Sequence, residues 1–247
     1  MTVHADLHVH SCLSPCGDLR SSPRAIAAAA REAGMHMVAL TDHNTAANAP
    51  AFRIACEREG VVPLYGAEAT SSEEAHVLGL FGAPEPALEF GRRLYESLPE
   101  AAFDPVRYGD QVVVDEDENI VESLSRHLIG GSAFSLSELG RLIHELGGLF
   151  VPAHVDRTMF SVWSQLGFLP PDSYDAVERT AEAGRIDTGP FCVIADSDAH
   201  VPEHIGRRYT TFEAEAPSFA ALKTALEEHR AFPHGIRSVT QLAEPQS

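Results

Sequence analysis

Apolar and polar positions run through this chain in short stretches whose period keeps changing. Val3–His10 alternates with a period of two and predicts a strand, whereas Pro23–Ala33 has helical spacing, with Ser22 as N-cap and Gly34 as its stop. Met37–Thr41 predicts a buried strand and Ala46–Glu59 a helix. Val61–Ala67 and His76–Phe81 predict two further strands, and Leu88–Leu98 a helix. The rhythm then breaks: Val112-Val113-Val114 and Ile120-Val121 flank an acidic turn, which predicts a hairpin projecting from the fold around residues 108–121. Ser135–Leu146 predicts a helix capped by Ser135 or Ser137 and ended by Gly147-Gly148. Leu149–Ala153, Tyr174–Glu178 and Phe191–Ala195 predict strands, and Ser218–His229 a last helix.

Strands that alternate with helices form parallel sheets. With about seven of them in a chain of this size, the expectation is an α/β fold, a closed or nearly closed barrel of one domain, residues 1–247, with a peripheral tail after Pro233.

The polar residues cluster just past the ends of the apolar runs. His8 and His10 share a strand face; Asp42 and His43 follow the second strand, and Glu68 the third. His154 and Asp156 follow Val151-Pro152-Ala153, and Asp196, Asp198 and His200 follow Val193-Ile194-Ala195. That edge is the active face of a (β/α) barrel. His76 instead opens its run, and reaches the same edge only if that run is antiparallel to the third strand. Any one of these elements alone reads as a helix cap or a packed imidazole. Together on one rim they suit divalent metals, because imidazoles and carboxylates buried without a partner are costly. His4 and His36 fall at the opposite end, and His127, His144, His229 and His234 lie off the rim; none is expected to be a ligand. His204 reads as a surface-loop or mouth residue.

Composition sharpens this picture. Thirteen histidines stand beside a single lysine, Lys223, and 36 acidic residues against 18 basic ones give a net charge of −18. Such acidity argues against a protein that grips long nucleic acid by counterion release. It leaves room for an anionic substrate, since bound divalent cations reverse the sign of a pocket. No apolar run is long enough for a membrane span, and the N-terminus has no signal-peptide pattern. Four cysteines, with Cys12 and Cys16 spaced as a weak C-x3-C, read as reduced thiols of a cytoplasmic protein.

Asp6-Leu7-His8-Val9-His10-Ser11, Leu40-Thr41-Asp42-His43, the glutamate after the third strand, the histidine soon after it, Pro152-Ala153-His154 and Ser197-Asp198-Ala199-His200 resemble, in order, the PHP (polymerase and histidinol phosphatase) phosphoesterases from residue 6 to about residue 212. The resemblance implies a distorted (β/α)7 TIM-like barrel with three divalent metal ions (Zn, Mn or Fe) at the strands' C-terminal rim. It assigns His8, His10 and Asp198 to one metal, Glu68 as the bridge to a second completed by His76 and His154, and His43 and His200 to the third. Asp18 best fits the remaining ligand position, and Cys12 or Cys16 is a minor alternative in the same loop. The insertion at 108–121 lies outside the common core. Amidohydrolases also open on H-x-H, and many bridge two metals with a mid-barrel lysine. Lys223, in the last helix, cannot do so, although carboxylate-bridged members stay open.

The implied reaction is hydrolysis of a phosphate monoester by a hydroxide bridging two metals. The expected substrate is a small phosphorylated metabolite such as a nucleotide or nucleoside bisphosphate. Arg157 is the first candidate for holding phosphate, and Arg207 or Arg208 the next. Asp42 and Asp156 are candidates to orient ligands or protonate the leaving oxygen, and Asp196 to support a ligand. An exonuclease on short oligonucleotides and a non-catalytic metal-binding partner module are the alternative readings. No membrane partner is expected.

Overall fold

A computed structural model describes residues 1–100, 103–180 and 186–235; the tail beyond residue 235 lies outside them. The strands are β1 (Thr2–Val9), β2 (Met37–Leu40), β3 (Val62–Thr70), β4 (His76–Phe81), β5 (Val112–Val114), β6 (Ile120–Ser123), β7 (Leu149–Pro152), β8 (Val177–Glu178), β9 (Val193–Ile194), β10 (Tyr209–Glu213) and β11 (Ala231–His234). The helices are α1 (Pro23–Glu32), α2 (Ala49–Glu59), α3 (Pro84–Ser97), the single turn α4 (Pro105–Tyr108), α5 (Leu136–Glu145), α6 (Val162–Leu166) and α7 (Phe219–Glu227).

One curled sheet of seven strands, in the order β11-β10-β1-β2-β3-β4-β7, forms a half-barrel. β1, β2 and β3 run parallel, and the tight turn after β3 makes β4 antiparallel, with Thr70 opposite His76. The start of β4 therefore returns to the rim, as the position of His76 requires. The short parallel pair β8–β9 continues the curve. The Asp175 amide donates to the Phe150 carbonyl and that of Val155 to Glu178, while Ala199 bridges in parallel to Val9. These links bring the chain round to β1 and give the distorted TIM-like barrel.

Two cores lie on the two sides of this wall. Leu7, Met37, Leu64, Leu78, Leu80, Val151 and Ile194 fill the inside, and Val38, Leu40, Tyr65, Phe81 and Phe150 pack outward against α1, α2, α3 and α5. The helices start where their caps predict: Ser22 Oγ accepts from the Ala25 amide, and Ser135 and Glu138 form a capping box. Lys223 lies in α7, beside β10 and β11.

The hairpin is present but does not project. β5 is buried, the Val112 amide donates to the Cys12 carbonyl, and the Val114 amide donates to Asn48 Oδ1 at 2.9 Å. The valine triplet supplies an apolar face that covers the loop after β1, leaving β6 exposed on the outside. Asp115 caps its acidic turn by accepting from the Asp117 and Asn119 amides.

β10, β11 and α6 escape the hydrophobic pattern. β10 carries Thr210 and Thr211 where an apolar run would be, and Thr210 Oγ1 instead accepts from the Ala195 amide. β11 contains Pro233, which an edge strand tolerates.

Candidate metal centre

Side-chain parity explains how the ligand candidates reach one place. Along β1, Val3, Ala5 and Leu7 face the inner core, so strict alternation would send His8 and His10 outward. The β1–β2 register shifts between Asp6 and Val9, and after this bulge Val9 faces the outer core while His8 and His10 turn inward. β3 keeps its alternation, so Glu68 lies on the side of Leu64, and β4 likewise places His76 with Leu78. On β7, alternation from Val151 and Ala153 would turn His154 outward. A left-handed backbone at His154, φ 31°, redirects it, and Asp198 has φ 50°. Non-glycine residues adopt this region at a cost that surrounding structure must hold.

Glu68 sits at the centre and is 1% exposed. Its Oε1 lies 2.8 Å from His76 Nδ1, 2.9 Å from His154 Nε2 and 3.4 Å from His8 Nε2. Its Oε2 lies 3.1 Å from His43 Nδ1 and 3.3 Å from His10 Nε2. Asp198 Oδ1 approaches the same two Nε2 atoms, at 3.4 Å from His8 and 3.2 Å from His10. His200 packs on the far side of His10, with ring centroids 4.4 Å apart.

Behind this cluster stands a set of acceptors that fix the rings. His8 Nδ1 donates to Glu178 at 3.1 Å, which turns Nε2 toward the centre. His10 Nδ1 donates to Ser14 Oγ at 3.0 Å, and Ser14 Oγ donates to Asp42 Oδ1 at 2.7 Å. The consequence is that the Nε2 atoms of His8 and His10 face each other at 3.1 Å. His43 Nδ1, 3.1 Å from Glu68, makes no hydrogen bond, and neither do His76 Nε2 and His154 Nδ1, all buried. Ring nitrogens converging on shared carboxylates, rather than pairing with donors, is the arrangement of a ligand set.

The electrostatics agree. Burial pushes the Glu68 carboxyl up, but the charges of His76, His8 and His43 outweigh it and hold it well below the usual range. Asp198 is likewise pushed up by burial and brought well below by His8 and His10. Burial lowers His43 and His154, and brings His200 down to about 4. Burial lowers His10 as well, but hydrogen bonds to Asp198 and Glu68 raise it to about 9. Ionised carboxylates with neutral outer imidazoles are the protonation states that metals bind, and protons on His8 and His10 are what a cation displaces.

Among the described residues, three groups place their ligand atoms within 4.8 Å of one another: His8, His10 and Asp198; His43, Glu68 and His76; and His10, His43 and His200. These imidazole–carboxylate sets fit borderline divalent ions such as zinc, manganese or iron.

Other sequence candidates lie elsewhere. Asp18 is not brought to the cluster: its carboxylate turns outward to the Arg20 guanidinium at 3.1 Å. The side chain of that loop which approaches the rim is Cys16, whose Sγ is 3.1 Å from His200 Nε2. Asp42 is fully enclosed and accepts from Ser11 N, Ser11 Oγ and Ser14 Oγ, each at 2.7 Å, so it stands behind His10 and cannot protonate a leaving group. Asp156 accepts from Thr180 N at 2.8 Å and Thr180 Oγ1 at 3.0 Å. Arg208 donates to the Asp196 and Ser197 carbonyls, both at 2.9 Å, and so positions the segment that carries Asp198 rather than substrate. Arg207 is exposed outside the cluster. Arg157 does reach it, with its guanidinium hydrogen-bonded to Asp198. Asp196 accepts from the Leu7 amide at 2.8 Å, as a supporting group would.

Glu178 was not legible as a site residue. Its signal was nonetheless in the sequence, as a carboxylate at the C-terminal end of a predicted strand. Besides His8 it accepts from the His154 amide at 2.8 Å, so one side chain orients two ligand candidates. Glu178→Gln is expected to weaken divalent-metal affinity about 10–100-fold with the fold retained, as loss of such supporting bonds does. Isothermal titration with Zn²⁺ or Mn²⁺ reads this, and an unchanged affinity would refute it.

Comparison with solved structures finds the same fold in other proteins. The lesion-specific endonuclease EndoQ of Pyrococcus furiosus is 19% identical with a TM-score of 0.68, over 92% of this chain and 56% of that one. An Endonuclease Q complex with a 27-mer duplex bearing an abasic lesion at its active site gives 19% identity, a TM-score of 0.64 and coverage of 92% and 57%. The chain thus spans little more than half the length of these proteins. A candidate metal-dependent phosphoesterase of Bifidobacterium adolescentis is 21% identical with a TM-score of 0.52, over 81% and 88%. A comparison with curated proteins returned no match. The expectation that long nucleic acid is excluded does not stand, because Endonuclease Q, similar to this chain over 57% of its own length, is solved with a DNA duplex. Net charge averages over the whole surface and is blind to what one rim holds. Among the described residues no helix is long and apolar enough to cross a membrane. The sequence profile of the PHP domain matches residues 6–216, which is most of the chain, and the protein belongs to the PHP domain family.

Proposed function

We propose that this protein is a metal-dependent phosphoester hydrolase whose reaction takes place at the Glu68-centred rim. The observation that carries the reading is the approach of five imidazole nitrogens to the two oxygens of one buried glutamate, all within 3.4 Å. His8, His10 and Asp198 would hold one divalent ion, Glu68, His76 and His154 a second with Glu68 shared, and His43 and His200 a third. Divalent ions bound there lower the pKa of water toward neutrality and neutralise phosphoryl oxygens.

The chain's own side chains do the rest. Glu178, and Ser14 with Asp42 behind it, keep the His8 and His10 rings aimed at the centre. Arg157, whose side chain is 40% exposed beside Asp198, would receive phosphate oxygens in its fork. The substrate we propose is a phosphate monoester of a small metabolite, a nucleotide or nucleoside bisphosphate among them. A second reading, cleavage of a phosphodiester in nucleic acid, is favoured by the likeness to Endonuclease Q.

A panel of phosphomonoesters, short 5′-labelled oligonucleotides and an abasic-site duplex, each assayed with Mn²⁺, Zn²⁺ and Fe²⁺, separates the two. Phosphate release from a monoester is expected, and Asp198→Asn and His43→Ala are each expected to lower it at least about 100-fold. Cleavage of the nucleic acids without phosphate release supports the second reading. Full activity in both variants moves the reaction away from this rim.

A further inference from the structure

The loop after β1 is folded so tightly that it decides which of its side chains meets the rim. The Ser14 amide donates to the Ser11 carbonyl at 3.1 Å and the Gly17 amide to the Ser14 carbonyl at 2.8 Å, two turns in succession. A Cβ on Gly17 would stand 2.5 Å from the Ser11 carbonyl oxygen, so only glycine fits there. The loop is then clipped to the last rim segment: the Asp18 amide and Ser21 Oγ both donate to the His200 carbonyl, at 2.9 and 3.1 Å. This clip turns the Asp18 carboxylate outward and leaves Cys16 Sγ against His200 Nε2.

His200 is already oriented for a ligand role. Its Nδ1 donates to the Asp198 carbonyl at 3.0 Å, so Nε2 presents its lone pair on the side of the thiol. Ligand atoms of His43, His10 and His200 lie within 4.8 Å of one another, and His43 keeps a buried Nδ1 with no hydrogen-bond partner. We propose that Cys16 supplies a thiolate ligand to the ion held by His43 and His200, in the position expected for Asp18. The inference rests on the metal reading above. Bond lengths of about 2.3 Å to sulfur and 2.0 Å to nitrogen put the two atoms of a tetrahedral site about 3.5 Å apart. The observed 3.1 Å differs from that by a few tenths of an ångström. Binding deprotonates the thiol, with the proton passing to solvent and no change of oxidation state. A sulfur ligand favours zinc over manganese at this position, because thiolate is soft and manganese prefers oxygen.

Cobalt(II) alone is the probe, added to this chain stripped of metal. A near-ultraviolet thiolate-to-cobalt charge-transfer band is expected in the wild type and in Asp18→Asn, and its loss in Cys16→Ser. Cys16 is the exposed one of the four cysteines, so iodoacetamide reports on it in the unaltered protein. Bound cobalt is expected to slow its carbamidomethylation at least tenfold, read by peptide mass. Cobalt that binds without the band, a band that survives Cys16→Ser, or an alkylation rate unchanged by bound cobalt overturns the proposal and leaves the metal reading intact. A chain that binds no cobalt overturns both.

Discussion

Replacing Glu68 by Gln is expected to lower phosphoester hydrolysis on the order of 10³-fold and to strip the protein of most of its bound metal. Gln keeps the shape and one oxygen but removes the charge, and the charge is what the surrounding groups are arranged around. Five histidines approach this one carboxylate, and His76, His8 and His43 ahead of the others hold it ionised against the cost of burial. The backbone has no reason to move, since the Glu68 amide is held by the Thr41 and Asp42 carbonyls. The variant therefore separates chemistry from folding. In the wild type, an ion at 1,000 times its Kd stabilises the fold by about 4 kcal/mol, so a chelator should lower the melting temperature markedly. In Glu68→Gln the chelator should do little. Steady-state kcat/KM and metal content by mass spectrometry are the measurements. Activity within tenfold of wild type would remove Glu68 from the centre of the mechanism.

Gly66→Ala is expected to be the most damaging single-methyl change, costing about 3 kcal/mol or more of stability. A Cβ on Gly66 would lie 2.1 Å from the Gly79 carbonyl oxygen on the neighbouring strand. The obstacle is backbone and cannot rotate aside. β4 cannot retreat as a body either, because Phe90 and Ile143 press on Gly79, where an added Cβ would meet them at 2.6 and 3.0 Å. β3 and β4 must therefore separate along their ladder, and Glu68 is two residues further on the same face. Metal affinity should fall together with stability. Gly34→Ala is the control: it adds the same methyl at a glycine whose backbone is left-handed, φ 73°, and meets no atom within 4 Å. Urea midpoints at constant m-value compare the two. A smaller midpoint loss for Gly66→Ala than for Gly34→Ala would contradict this account.

The sequence was most informative where local pattern and tertiary role agree. β1 to β4, α1 and α5 occupy nearly their predicted spans, because period, caps and burial all point the same way in them. The cluster was legible because most of its members follow apolar runs; His76 opens one, and its place in the cluster hung on an antiparallel turn that only the structure supplies. What local pattern could not supply was parity. The bulge in β1 and the left-handed backbone at His154 each reverse a side chain, and neither leaves a mark in hydrophobic spacing. Asp18 and Cys16 fail for a related reason: two residues apart in a loop, they are distinguished only by the clip to His200. β8 and β9 shrink from five expected residues to two because side chains and single hydrogen bonds replace ladder pairing there.

That substitution has a mechanical consequence. On the β8–β9 side the ring is shut by buried carboxylates, with the Ser197 amide donating to Asp6 across 191 positions of sequence and the Leu7 amide donating to Asp196. His8 and His10 stand on one bank of this seam and Asp198 on the other. An ion gripped from both banks would be a clasp that ties residues 8 and 10 to residue 198, and a cross-link of such span removes more disorder from the unfolded chain than any short one. The rim would then be fastener as well as workshop: a protein emptied of its ions should spring open along this line before anywhere else, and the same motion that releases metal would begin unfolding.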